Sequence, residues 1–76
     1  MNLDQVRALF PSGYLVDVEI LKNPGNLSEW FILVMTSSGK TYLVEDEQGQ
    51  IRMSRSVDPL LDDLHRVGFH QVTVHI

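Results

Sequence analysis

The chain has 76 residues, with six basic and ten acidic side chains and a formal charge of −4. A domain of this length supports one small hydrophobic core and hides only about 60% of its unfolded surface. It contains no cysteine, which excludes disulfides, thiolate metal sites and cysteine nucleophiles. Protonating all three histidines would still leave the formal charge negative, so the broad basic face that neutralises nucleic-acid phosphates is not expected.

Residues 1–76 read as a single domain. Met1 is not followed by a basic and then an apolar stretch, so no secretory signal is visible. The longest apolar run, Trp30 to Met35, is far too short to span a bilayer. The expectation is a cytoplasmic protein with no membrane contact.

In chain order, Asn2 or Asp4 is placed to cap a short helix through Phe10, with Leu3, Val6, Leu9 and Phe10 on one face. Pro11-Ser12-Gly13 ends it. Tyr14 to Lys22 alternates as a half-buried strand, with Tyr14, Val16, Val18 and Ile20 on one face. Leu15, Asp17, Glu19 and Leu21 take the other. Asn23-Pro24-Gly25-Asn26 is a turn of type II character, extended by Leu27 and Ser28 into a loop.

Glu29 to Thr36 differs in kind. Trp30, Ile32 and Val34 lie on one face and Phe31, Leu33 and Met35 on the other, the pattern of a central strand covered on both sides. Ser37-Ser38-Gly39 closes a hairpin, and Lys40 to Asp46 returns. Glu47-Gln48-Gly49 turns again into a short edge strand, Gln50 to Ser54, with Ile51 and Met53 inward and Arg52 outward.

The second helix begins near Asp58, an N-cap before Pro59, with Ser56 as the rival cap. Leu60, Leu61, Leu64 and Val67 form its apolar face, Asp62 is spaced to pair with Arg66, and Gly68 stops it. Phe69 to Ile76 is the last strand, with Val72, Val74 and Ile76 inward. The order α-β-β-β-β-α-β specifies an α+β fold, a mostly antiparallel sheet with two short helices on one face. The last strand is placed antiparallel beside the first, giving sheet order 5-1-2-3-4.

The segment Tyr42-Leu43-Val44-Glu45-Asp46-Glu47-Gln48-Gly49, continued by Arg55-Ser56-Val57-Asp58, Leu61 and Leu64, resembles small proteobacterial proteins of unknown function. A hairpin with an acidic-glycine turn leads there through an Arg-Ser-Val-acidic cap into a Leu-rich helix. Pro59 departs from that pattern. The resemblance implies a compact bacterial domain and carries over no functional residue.

Few residues invite a chemical role. His65, His70 and His75 fall on a helix, a strand start and a strand end, and the last two differ in strand parity, which argues against one shared metal. Glu45, Asp46 and Glu47 supply too few suitably spaced oxygens for a Ca²⁺ loop and read as a hairpin tip. Ser37, Ser38, Ser54 and Ser56 sit at turns without a nucleophile elbow. No catalytic, cofactor-binding or metal-ligating residue is assigned, and no cofactor is implied. Lys40, Tyr42, Arg52 and Arg55 interleave basic and aromatic residues in a way that can bind single-stranded nucleic acid, although edge protection accounts for them as well.

Trp30, Phe31, Leu33 and Met35 are the candidate interface, because two short helices cannot cover both faces of the sheet and aromatics and methionine are enriched in interface cores. The leading expectation is therefore a non-enzymatic bacterial interaction or accessory module that acts as a homodimer through an exposed sheet face. Sheet-based nucleic-acid binding and a histidine-centred metal or small-molecule module are the alternatives.

Overall fold

A computed structural model describes all residues, Met1 to Ile76. The first helix, α1 (Leu3–Leu9), is opened by Asn2, whose side chain accepts from the Gln5 amide at 2.8 Å while Gln5 accepts from the Asn2 amide. This capping box satisfies two amides that have no partner inside the helix and contributes on the order of 1 kcal/mol. A 3₁₀ turn, Phe10–Ser12, follows, with Pro11 in its first turn and Gly13 at φ +75° behind it.

Strands β1 (Leu15–Asn23), β2 (Asn26–Thr36), β3 (Thr41–Leu43) and β4 (Thr73–Val74) form one sheet in the order β3-β2-β1-β4. The second helix, α2 (Asp58–Val67), precedes β4. The α+β class and the two helices hold, and the last strand does lie beside the first. It runs parallel to β1, however, not antiparallel. Gln50 to Ser54 is not a regular strand, so the chain makes one reversal fewer before α2 and the direction of the last strand flips.

That segment is captured from two sides. Arg52 N donates to Val44 O at 2.9 Å, and Ser54 then exchanges both backbone bonds with Trp30, at 2.7 and 3.0 Å. β3 pairs with β2 only from Leu33 to Met35, so the edge of β2 near Trp30 is open and Ser54 takes it. Parity along the segment is opposite to expectation: Arg52 turns toward α2, whereas Ile51 is 40% exposed.

Two further turns differ from the sequence reading. Asn23 pairs with Asn26 across Pro24-Gly25, a tight connection and not a six-residue loop. Gly25 lacks the positive φ of a type II turn, and its amide donates to the Asn23 side chain at 2.9 Å. In β1 the register shifts between Leu15 and Asp17. This bulge spends one extra residue, so Leu15 is buried with Val18 and Ile20 and Val16 is left 56% exposed.

The start of α2 is also shifted. Val57 is the cap residue and has helical dihedrals with no side-chain bond; its carbonyl accepts from Leu60 and Leu61, both at 3.0 Å. With Val57 as the cap, Pro59 falls within the first turn and has no N–H, so one of the amides there that would need an outside partner is absent. Asp62 and Arg66 form no ion pair; Asp63 pairs instead with Arg52.

The core lies between the helices and one face of the sheet. Val6 of α1 and Leu60, Leu64 and Val67 of α2 meet Leu15, Val18, Ile20, Ile32, Val34 and Val44, with Phe69 closing one end. Val72 and Val74 pack against this cluster, while Ile76, expected inward, is fully exposed. No helix is long and apolar enough to cross a membrane.

Gly68 locks the two helices together. It has φ +130°, and a Cβ added there would lie 2.6 Å from Phe10 Cε1. The Phe10 ring thus rests on bare backbone and meets Phe69 edge-on, with centroids 4.9 Å apart. Gly68→Ala is expected to cost about 2–4 kcal/mol from backbone strain and steric overlap combined, read as a lower urea midpoint. In a Phe10→Leu background the same substitution should cost less, because only the strain remains.

Candidate functional site

Alternation along the strands decides which side chains share the face away from the helices. Paired across β1 and β2 are Leu21 with Phe31, Glu19 with Leu33 and Asp17 with Met35; β3 adds Leu43 beside Leu33 and Thr41 beside Met35. Leu21, Phe31, Leu33, Met35 and Leu43 are partly buried, and none belongs to the core or packs against it. No helix lies over them. They form an apolar patch with Asp17 and Glu19 along its β1 side.

Trp30 is not part of this patch. It packs against the core cluster on the helix side, with Lys22 Nζ 5.3 Å from its ring centroid. Phe31, Leu33 and Met35 share the open face, and the sequence reading missed Leu21 and Leu43 beside them. The signal was available, since register with Phe31 and Leu33 places both leucines on that side.

Lys40, Tyr42, Arg52 and Arg55 are not gathered into one surface. Lys40 stands exposed at the β2–β3 turn and Arg55 is exposed after the Ser54 bridge. Tyr42 is paired with Val34, on the helix side, where it lines a shallow apolar groove of about 480 Å³ with Met1, Ala8 and Leu9. Arg52 Nη2 lies 2.7 Å from Asp63 Oδ2, with the two side chains 31% and 20% exposed. The distance makes this a close ion pair, although its angle is not that of a hydrogen bond and Arg52 Nε has no acceptor. The contact ties the irregular segment to α2.

A polar cleft of about 450 Å³ lies beside this pair, between the first turn of α1 and the tip Glu45–Gln48. Two of its acids hold the local fold. Asp46 Oδ1 accepts from the amides of Gln48 and Gln50, both at 2.9 Å, and Glu45 accepts from the Met1 amine at 3.1 Å.

The histidines are dispersed. His65 and His70 are exposed, and His75 Nε2 sits 3.0 Å from Glu19 Oε1 across β4 and β1. No three His, Asp or Glu side chains converge as a metal-holding group.

At the opposite end of the molecule's longest strand, Thr36 is the one buried polar residue, 1% exposed. Its Oγ1 lies 2.9 Å from Ser38 Oγ and accepts from the Lys40 amide at 3.2 Å. The Ser38 hydroxyl, then the Thr36 hydroxyl, hold the Tyr14 phenol below its ordinary value of 10.0, outweighing a small opposing effect of burial and aided by the Lys40 charge. No sequence motif marked Tyr14, because the grouping depends on the turn bringing three positions toward the residue just before β1.

No protein-family model, curated protein or solved structure matches this chain.

The Arg52–Asp63 contact is expected to be worth about 1 kcal/mol in a double-mutant cycle of Arg52→Met and Asp63→Asn, read by urea unfolding. Additive losses would mean that solvent screens the pair completely. In an absorbance titration of tyrosinate, one tyrosine should ionise below 10.0, and Tyr14→Phe should remove that step. Because the folded value is the lower one, any stabilisation from this group appears as pH rises through it and is complete above the unfolded value. At neutral pH it contributes nothing.

Proposed function

We propose that this chain is a small, non-enzymatic bacterial interaction or accessory module that acts in the cytoplasm as a homodimer, through the sheet face turned away from its helices. The single observation behind this reading is the uncovered apolar patch of Phe31, Leu33 and Met35 with Leu21 and Leu43. Apolar side chains gathered on one sheet face that no helix covers favour a contact with another surface, since contiguous apolar patches rimmed by polar residues mark interaction sites. The polar residues elsewhere support the same reading from the other side. Asn2, Asp46, Thr36, Arg52 and Asp63 hold turns, caps and elements in place.

Leu33 is at the centre of the patch, flanked by Glu19 and Leu43. Sedimentation of the wild-type chain in the high-micromolar range should show a reversible dimer, and Leu33→Glu should shift it to monomer while leaving the circular dichroism spectrum and the unfolding midpoint nearly unchanged. A wild-type chain that stays monomeric at those concentrations would sink the dimer.

A further inference from the structure

We infer that the outer edge of β3 takes up an extended segment of another protein as an added strand, with one apolar side chain of that segment seated in the groove between Tyr42 and α1. β3 is the last strand on its side of the sheet. Thr36 N donates to Lys40 O and Val44 N to Ile32 O, at 2.8 and 3.0 Å. The hydrogen-bonded pairs with β2 therefore fall at Lys40, Tyr42 and Val44, and Thr41 and Leu43 turn their backbone groups outward. Leu43 O takes the Met1 amine at 3.4 Å. The N–H and C=O of Thr41 and the N–H of Leu43 have no partner in the protein. Unpaired groups in a row on a strand edge are a template for another strand.

The apolar groove lies at the same place. Met1 sits on the outer side of β3, where its carbonyl accepts from Glu45 N at 2.8 Å. With Tyr42 it bounds the groove of about 480 Å³ whose other wall is Gln5, Ala8 and Leu9. Those residues are spaced i, i+3 and i+4 on one face of α1. Side chains opposite one another on paired strands share a face, so the residue of an added strand opposite Tyr42 points toward the groove, whichever way that strand runs. Backbone bonds to Thr41 and Leu43 supply the pairing, and the groove selects a large aliphatic or aromatic side chain at that one position.

Two observations fix the occupant. A second copy of β3, paired about a two-fold axis, would run antiparallel and bring one of its residues opposite Val44. Met1 already stands there, between Leu43 O and Glu45 N, so the edge excludes pairing with itself. At its other end Lys40 is exposed and enters no ion pair, and strand parity puts it on the same face as Tyr42. It is matched by a carboxylate two residues from the apolar side chain. The partner is therefore an extended peptide of another protein, with an apolar and an acidic residue one position apart from being neighbours. Edge protection accounts for Lys40 but not for an apolar groove beside the open backbone. Phe31, Leu33 and Met35 lie on the opposite face of the sheet, so this site does not rest on the dimer.

The test is an amide NMR titration of the dilute wild-type chain with short end-blocked peptides of threonine and serine around a central leucine. One peptide carries an aspartate two residues before the leucine, the other two residues after it. With at least one of them the Thr41 and Leu43 amides should shift saturably and exchange more slowly with solvent, and the Ala8 methyl should shift with them. Serine in place of the leucine should weaken binding about tenfold. Thr41→Pro removes an outward donor and leaves the bonds to β2 intact, and Ala8→Glu puts a charge at the groove from an exposed position; each should abolish binding with the circular dichroism spectrum unchanged. Lys40→Glu should reverse the preference, so that a peptide with lysine in place of the aspartate binds several-fold tighter. No shift at Thr41 and Leu43 with either leucine peptide at millimolar concentration would overturn the site. So would shifts that both Thr41→Pro and Ala8→Glu leave unchanged, or shifts confined to Phe31, Leu33 and Met35. Protection of the Thr41 amide that grows with the concentration of the chain alone would overturn the assignment of a foreign strand.

Discussion

A sheet has two faces, and this chain has helices of seven and ten residues with which to cover them. Most other features follow from that shortage. Helices so short are marginal alone and hold their shape by docking, so α1 and α2 share the same side of the sheet, and the residues just beyond their C-terminal ends, Phe10 with Gly68 and Phe69, pack together. Every residue of the core lies in the layer they enclose. The other face keeps the side chains that β-strand alternation puts there, and β2, apolar at every position from Trp30 to Met35, makes that face apolar too.

β2 is the spine of the arrangement. It pairs with β1 along most of its length, with β3 at one end and with Ser54 at the other. The chain after β3 has little regular structure, and three specific contacts hold it: the Asp46 turn, the Ser54 bridge and the Arg52–Asp63 pair. The ion pair, between side chains that are mostly buried, joins the irregular segment to α2 between the two points where Val44 and Val57 reach the core.

The sequence was informative wherever the cause of structure is local. The Asn2 cap, the stop at Pro11 to Gly13, the Gly39 hairpin and the apolar stripe of α2 all depend on residues within a turn of one another. It misled where a single residue changes the outcome. The bulge at Val16 cannot be seen in an alternating run, because bulged and regular strands alternate equally well on either side of it. The direction of β4 depended on whether Gln50 to Ser54 formed a strand, and that was decided by a free edge far away on β2. Arg52 read as an outward edge charge because its partner, Asp63, is eleven residues along the chain on another element. Of the candidate interface, Phe31, Leu33 and Met35 were legible from parity, and Trp30 was grouped with them only by composition.

The size of the open face constrains what the proposed dimer can be. A standard interface takes about 800 Å² from each partner, roughly a sixth of the 4857 Å² that this chain exposes. The apolar patch spans three strands, about 10 Å between the outer two, and five residues along β2, about 13 Å between the first and last. It is therefore the centre of an interface and not the whole of one. The remainder must come from Asp17, Glu19, Thr41 and Thr73, which are polar and keep much of their hydration. An interface with so small a dry centre belongs with weak, reversible contacts and not with obligate ones. The core is made without any residue of this face, so the proposed dimer is not needed to complete it. Such a face suits a module that exchanges partners, since the patch proposed to pair two copies would be available to another protein whenever they part.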